Sequence, residues 1–149
     1  MQIAFGPWPL ANQKSAQGVL VRNYRDLQVW SKAYALTLEL YKLSRTFPKD
    51  ELYGLTAQLR RSATSIGANL AEGCGRRTNS EMARFVKIAL GSASELDHHL
   101  LLCRDLEFLK VEDYQRCARA LTSLRKMLTA FLSAIEDEVR PKSKAAAKN

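Results

Sequence analysis

The sequence predicts an all-α protein, folded as an antiparallel, up-down-up-down four-helix bundle. Three observations carry this expectation. Apolar residues recur at steps of three and four along four separate segments, the repeat of a helix with one buried side. The segments are joined by short connections rich in Pro, Gly and capping residues, as between antiparallel neighbours. No Asn-Gly or Asp-Gly pair sits between alternating stretches, so hairpin signals are missing.

The first helix is expected over about 27–46. Val29, Ala33, Leu36, Leu40, Leu43 and Phe47 form its stripe, close to the 3.5-residue period of bundle helices. Asp26 is the expected N-cap, and Pro48 disfavours helix at Phe47 and marks the end. The second helix is expected from near Leu52 to Glu72, with Leu55, Leu59, Ala63, Ile66 and Leu70 inward. Gly73-Cys74-Gly75 ends it, since glycine takes the left-handed C-terminal conformation at no steric cost. The third opens on the capping-box pattern Thr78-Asn-Ser-Glu81. Its stripe is Met82, Phe85 or Val86, Ala89, Ala93, Leu96, Leu100 and Cys103, ending near Leu106. The fourth begins near Val111, with Glu112 and Asp113 in a first turn that suits acids. Tyr114, Cys117, Leu121, Leu124, Leu128, Phe131 and Ile135 make the cleanest stripe, and Pro141 closes it. Residues 1–23, with Gly6, Pro7, Pro9 and Gly18, read as a flexible N-terminal extension, 24–139 as the bundle, and 140–149 as a basic C-terminal tail.

At 149 residues one domain is expected, large enough for a core without disulfide staples. No run approaches the ~20 apolar residues that span a bilayer, and the N-terminus lacks the basic start and apolar stretch of a signal peptide. Three cysteines, an odd count without Cys-x-x-Cys spacing, fit reduced thiols in a cytoplasm. The net charge is +8, and residues 140–149 and the stretch from Arg60 to Lys87 supply +4 each. Basicity gathered in one internal segment and one tail favours a defined anionic partner.

Three residue sets exceed what a bundle core needs. Trp30, Tyr34, Leu38 and Tyr41 form a second apolar stripe on the first helix. It reads either as a wide core face or as a subunit interface, with the interface preferred. Gln58, Arg61, Ser65, Asn69 and Glu72 form a polar line on the second helix. Ser and Asn are mediocre helix formers, so a hydrogen-bonded packing network is the first reading and ligand or RNA contact the second. Gly67 and Gly91, each costing about 1 kcal/mol mid-helix, suggest close helix–helix approach, and Glu95 is within reach of a base such as Arg61. Third, Arg60, Arg61, Arg76, Arg77, Arg84 and Lys87 form the basic segment. Arg76 and Arg77 flank a helix N-terminus, where unpaired N–H groups favour phosphate. The competing reading is a solvated basic face.

Enzyme chemistry is not expected. His98 and His99 point about 100° apart and cannot jointly hold one metal. Cys103 and Cys117 fall on inner stripes; Cys74, near Arg76 and Arg77, has the setting for a lowered pKa but no evident base. There is no Glu-x-x-His pair, phosphate-binding glycine loop or nucleophile elbow. No metal or other cofactor is expected. Without an RNA-recognition strand pair, KH loop or zinc knuckle, binding should follow shape and charge.

The run DLQVWSKAYALTLELYKLSRTFPKDELYGLTAQLRRSATSIGANLAEGCGRRTNSEMARFVKIALGSASEL resembles the four-helix bundle protein family. Its most specific pieces are Phe47-Pro48, Gly54-Leu55-Thr56, Gln58 with Arg60-Arg61, Ser65-Ile66, Asn69-Leu-Ala-Glu72-Gly73, and Gly91-Ser92 with Glu95-Leu96. That family includes proteins encoded in intervening sequences of bacterial 23S rRNA genes. The chain is similar also to the accessory variability determinant proteins of diversity-generating retroelements. The resemblance spans roughly Tyr24 to Ile135. It implies an antiparallel bundle assembled as a homopentamer, a bacterial cytoplasm and no known catalysis. For the retroelement branch it implies binding a reverse transcriptase and its template RNA; for the other branch, RNA association. An extension as long as 1–23 is atypical of the family, and a misassigned start codon is one expectation.

Overall fold

A computed structural model describes residues 23–141, and the expectations for the N-terminal extension and most of the basic tail lie outside them. Four helices follow one another: α1 Gln28–Leu43, α2 Leu55–Cys74, α3 Asn79–Asp105 and α4 Val111–Val139. No strand occurs among the described residues. Each helix packs on the next and α4 returns to α1, so the four enclose one core.

The antiparallel registers are read from cross-helix contacts. Between α1 and α2, the Thr37 hydroxyl donates to the Ala63 carbonyl at 3.2 Å, and Arg60 Nε to Ser44 Oγ at 2.8 Å. Between α2 and α3, Ser65 meets Ser92 and Gly73 meets Phe85. Between α3 and α4, Arg125 reaches Ser94 and Lys87 reaches Glu136. In each pair one residue number rises as the other falls.

The core is the one the periodicity lays out. Leu36, Leu40, Leu59, Ile66, Leu70, Leu96, Leu100, Leu121, Leu124 and Leu128 are all buried. Burying each such side chain contributes about 1.5–3 kcal/mol. Of the two options on α3, Val86 enters the core and Phe85 stays half-exposed over the α2–α3 groove. Four stripe positions, Leu43, Leu55, Tyr114 and Phe131, are only partly buried at its edge.

Several ends differ from expectation. Asp26 does not cap α1; it lies in a short 3-10 turn, Tyr24–Asp26, capped by Asn23, and Leu27 precedes α1 without a side-chain cap. The chain tightens into 3-10 turns at Ser44–Thr46 and Lys49–Glu51, so α1 ends at Leu43 and α2 starts at Leu55. Pro48 disfavours the helical conformation at Phe47, so no continuous helix runs through this connection. Glu51 Oε2 accepts the Leu55 N–H at 3.1 Å and so caps α2 from the preceding turn. Gly73 is inside α2, and the C-cap Gly75 has φ −79°, so no left-handed glycine ends the helix. Gly73 is needed for space instead: a Cβ there would lie 2.6 Å from Met82 Sδ and 3.0 Å from Phe85 Cβ.

The left-handed position is Glu107, with φ 61°. The Phe108 N–H donates to the Cys103 carbonyl at 2.8 Å and the Glu107 N–H to the Arg104 carbonyl at 2.9 Å. That pair closes α3 in a Schellman motif. It turns Phe108 back onto Phe47, ring centroids 5.6 Å apart, across the α1–α2 connection.

Candidate nucleic-acid interface

The six basic residues fall into two groups. Arg60 and Arg76 are 16 positions apart on and just beyond one helix, which places them roughly 24 Å from each other. The structure does not bring the groups together.

The first group surrounds the α2–α3 turn. Thr78 caps α3, its hydroxyl oxygen accepting the Glu81 N–H at 3.2 Å, and the hydroxyl donates to Glu81 Oε2 at 3.0 Å. Phe85, one turn further, carries two guanidinium groups over its ring: Arg76 at 4.9 Å from the centroid and Arg84 at 6.0 Å. Such cation–π contacts hold a guanidinium without consuming its charge. Arg76 is also ion-paired with Glu72 at 2.7 Å. Arg77 is exposed and pairs with no carboxylate among the described residues. Lys87 sits 3.2 Å from Glu136, and Asn79 Nδ2 donates to Glu138 at 2.8 Å. The end of α4 therefore lays acids along the start of α3 and answers Lys87, as Glu72 answers Arg76, leaving Arg77 and Arg84 as the outward cations without a carboxylate partner among the described residues.

The second group lies at the start of α2. Arg60 is fixed twice, by its bond to Ser44 Oγ and by the Tyr41 ring, 4.7 Å from the guanidinium carbon. Arg61 is exposed. Both border an open depression of about 620 Å³, lined also by Tyr41, Leu52, Tyr53 and Thr64. Sequence reasoning missed Tyr53, which is 92% exposed. It belongs to no helical stripe; an aromatic residue between Pro48 and Gly54, with no apolar periodicity to join, was the available signal. Lys42, Arg45 and Lys49 are exposed at the same end of the bundle and were likewise not singled out.

The aromatic stripe of α1 divides. Trp30 stacks on Tyr34 with centroids 4.9 Å apart, and Tyr24 meets the Trp30 edge at 5.1 Å. Trp30 is half-buried against Gly67, where a Cβ would stand 3.5 Å from the indole nitrogen. A methyl there would make only ordinary contact with a side chain, so Gly67 does not mark the close helix–helix approach expected of it. Tyr34, Leu38 and Tyr41 remain 42–47% exposed. Gly91 is a correction: nothing lies within 4 Å of a Cβ placed there, so no neighbouring helix approaches it.

Part of the polar line is a network. Ser65 and Ser92 hydroxyls are 2.8 Å apart, and Asn69 Nδ2 donates to the Ser65 carbonyl at 2.8 Å and to its hydroxyl oxygen at 3.0 Å. Ser92, the partner on α3, entered the sequence reading only as part of the family resemblance and not of the polar line. Glu72 turns to Arg76 instead, and Gln58 is half-buried at the start of the line. Glu95 reaches His99 Nε2 at 3.4 Å on its own helix, not Arg61. His99 is buried, while His98 is exposed.

Burial, with a smaller contribution from Glu51, pushes the Cys103 thiol up to about 11. Burial, followed by Glu39, pushes Cys117 up to about 12. Both are core residues with little thiolate at neutral pH. Cys74 is half-buried against the core at the end of α2. Among the described residues no group of three His, Cys, Asp or Glu could hold a metal ion, and no helix is long and apolar enough to cross a membrane.

A solved structure with the same fold comes from Bacteroides thetaiotaomicron VPI-5482, a protein with unknown function from the S23 ribosomal protein family. It is 24% identical, with TM-score 0.65, over 70% of this chain and 95% of that one. Among curated proteins nothing matches. The family model described as 23S rRNA-intervening sequence protein matches residues 25–130, well over half of the chain. The apolar stripes as far as Leu128, the capped α2–α3 turn and the short connections lie within that span, and the chain belongs to the 23S rRNA-intervening sequence protein family.

Proposed function

We propose that the protein is a non-enzymatic, self-associating helical bundle of the bacterial cytoplasm that binds the phosphate backbone of nucleic acid, RNA in preference to DNA. The observation that supports this most is the α2–α3 turn. There Arg76 and Arg84 are held over Phe85, and Arg77 stands exposed without a carboxylate partner among the described residues. Guanidinium groups match phosphate oxygens in a fixed fork, and the adjoining start of α3 adds the positive end of a helix. The family's description, which names 23S rRNA, favours RNA. Arg60 and Arg61 form a second contact region, and Lys87, paired with Glu136, contributes least.

The test is an electrophoretic titration with a structured RNA between 50 and 200 mM salt. Each phosphate contact adds about 0.9 to the slope of log affinity against log salt. The R77A/R84A variant should bind more weakly and show a slope shallower by about two. Salt-insensitive binding, or none at low salt, would overturn the reading.

Self-association is a second reading with its own support: Tyr34, Leu38 and Tyr41 present exposed apolar surface on one side of α1, beside the half-buried Trp30. We place the subunit contact there and take a pentamer as the expected assembly. Light scattering on the L38E variant should show a smaller particle than the parent. An accessory scaffold for a reverse transcriptase and its template RNA is the rival. It would use the same basic surface, and co-purification with such an enzyme would separate the two.

A further inference from the structure

We propose that the depression at the start of α2 is a stacking site for an unpaired base of single-stranded nucleic acid, with Tyr53 as its platform and Arg61 as its phosphate contact. This rests on the nucleic-acid reading above and adds a ligand class to it. The argument begins with exposure. Tyr53 is 92% exposed in the connection before α2, so its ring packs on almost nothing among the described residues. Burying a ring contributes favourably, and leaving one in water forgoes that contribution. Tyr53 therefore supplies no stability here that a small polar residue would not.

The lining is chemically one-sided. Arg60 and Arg61 border the depression and no acid does. Of the two carboxylates of the preceding turn, Glu51 is turned to the Leu55 N–H and Asp50 is exposed outside the lining. Arg60 is preorganised, pinned by Ser44 Oγ on one side and the Tyr41 ring on the other. A flat, anionic, π-bearing ligand complements this set: an aromatic face and a guanidinium plane for stacking, and a free guanidinium for charge. Proteins that hold single strands without sequence preference combine exposed aromatics with a positive groove in this way. A volume of about 620 Å³ is within the size range of small-ligand sites. A duplex, whose bases are already stacked, presents no ring to Tyr53. The arginines of the α2–α3 turn, in contrast, meet phosphates of either form.

The experiment measures affinities of the full chain for a labelled twelve-nucleotide oligouridylate and oligoadenylate, and for an RNA duplex of equal length, at 50 mM salt. Base–aromatic stacking of about 1–3 kcal/mol corresponds to at least fivefold in affinity. Y53A should lower single-strand affinity at least fivefold and lower the ratio of single-strand to duplex affinity, while Y53F preserves both. R61A should weaken single-strand binding and flatten its salt slope by about one. Circular dichroism of each variant checks that the bundle is intact. Single-strand affinity unchanged in Y53A, with the R77A/R84A defect still present, overturns the stacking site and leaves the backbone-binding reading standing. A change in particle mass in Y53A without a change in affinity also overturns it and assigns Tyr53 to a protein contact. Absence of any binding at 50 mM salt overturns both readings.

Discussion

Ser65 on α2 and Ser92 on α3 face each other with hydroxyl oxygens 2.8 Å apart, and Asn69 donates into the same pair. Ser92 is buried and depends on Ser65 for a partner in place of water, while the half-buried Ser65 oxygen also accepts from Asn69. A neutral hydrogen bond contributes about 1 kcal/mol, but leaving a buried group unpartnered costs about 1–3 kcal/mol. Removing one hydroxyl should therefore hurt more, per group, than removing both. We expect S92A to lower unfolding free energy by about 1–2 kcal/mol in urea titrations. The S65A/S92A double variant should lose less than the sum of the single losses. A strictly additive cycle would mean that the two hydroxyls are not coupled.

Gly73 and Gly91 should respond oppositely to alanine. At Gly73 the new methyl meets Met82 Sδ and Phe85 Cβ at 2.6 and 3.0 Å, and α2 must move away from α3. Such overpacking costs about 1–3 kcal/mol. At Gly91 nothing lies within 4 Å, so the substitution adds helix propensity of about 1 kcal/mol without a clash. Thermal melts should show G73A lower and G91A higher than the parent. Equal shifts in one direction would refute the packing described for α2 and α3.

Glu107 holds the left-handed position of the α3 cap at φ 61°. A side chain there costs roughly 1–2 kcal/mol that glycine avoids. E107G should raise unfolding free energy by about 1 kcal/mol, less whatever its unfolded-state entropy removes. A destabilised E107G, measured by chemical denaturation, would show that the Glu107 side chain contributes more than its backbone costs.

Cys103 and Cys117 are raised to about 11 and about 12, above the ordinary thiol value of 9. A folded-state pKa raised above the unfolded one favours the native state fully below the unfolded value. That contribution falls as pH climbs from about 9 through 11 to 12. Urea midpoints should thus decline with alkalinity above pH 9, and thiol reagents should modify these two residues only as fast as the bundle opens. Rapid modification in native protein at pH 8 would contradict their burial.

Much of the bundle is legible from spacing alone, and particular residues show why. Leu96, Leu121 and Leu124 are buried where a 3.5-residue stripe puts them, because which side of a helix is apolar depends only on neighbours within two turns. The capping box of α3 is equally local: Thr78 and Glu81 are three residues apart and bond as that spacing requires. The helix ends around Pro48 shifted by a few residues, where 3-10 turns compete with one more helical turn, and α2 runs to Cys74.

The candidate sites divide along the same line. That the positive charge is concentrated between Arg60 and Lys87 is fixed by the order of residues. Which of those charges remain outward is not, because the deciding partners are distant in the chain. Glu136 answers Lys87 from 49 positions away, Ser44 fixes Arg60 from 16, and the Ser65–Ser92 pair spans 27. Periodicity gives each helix its inner face by itself. The vertical register between helices, set by how side chains such as Phe85 interlock over Gly73, arises only when the four are packed together.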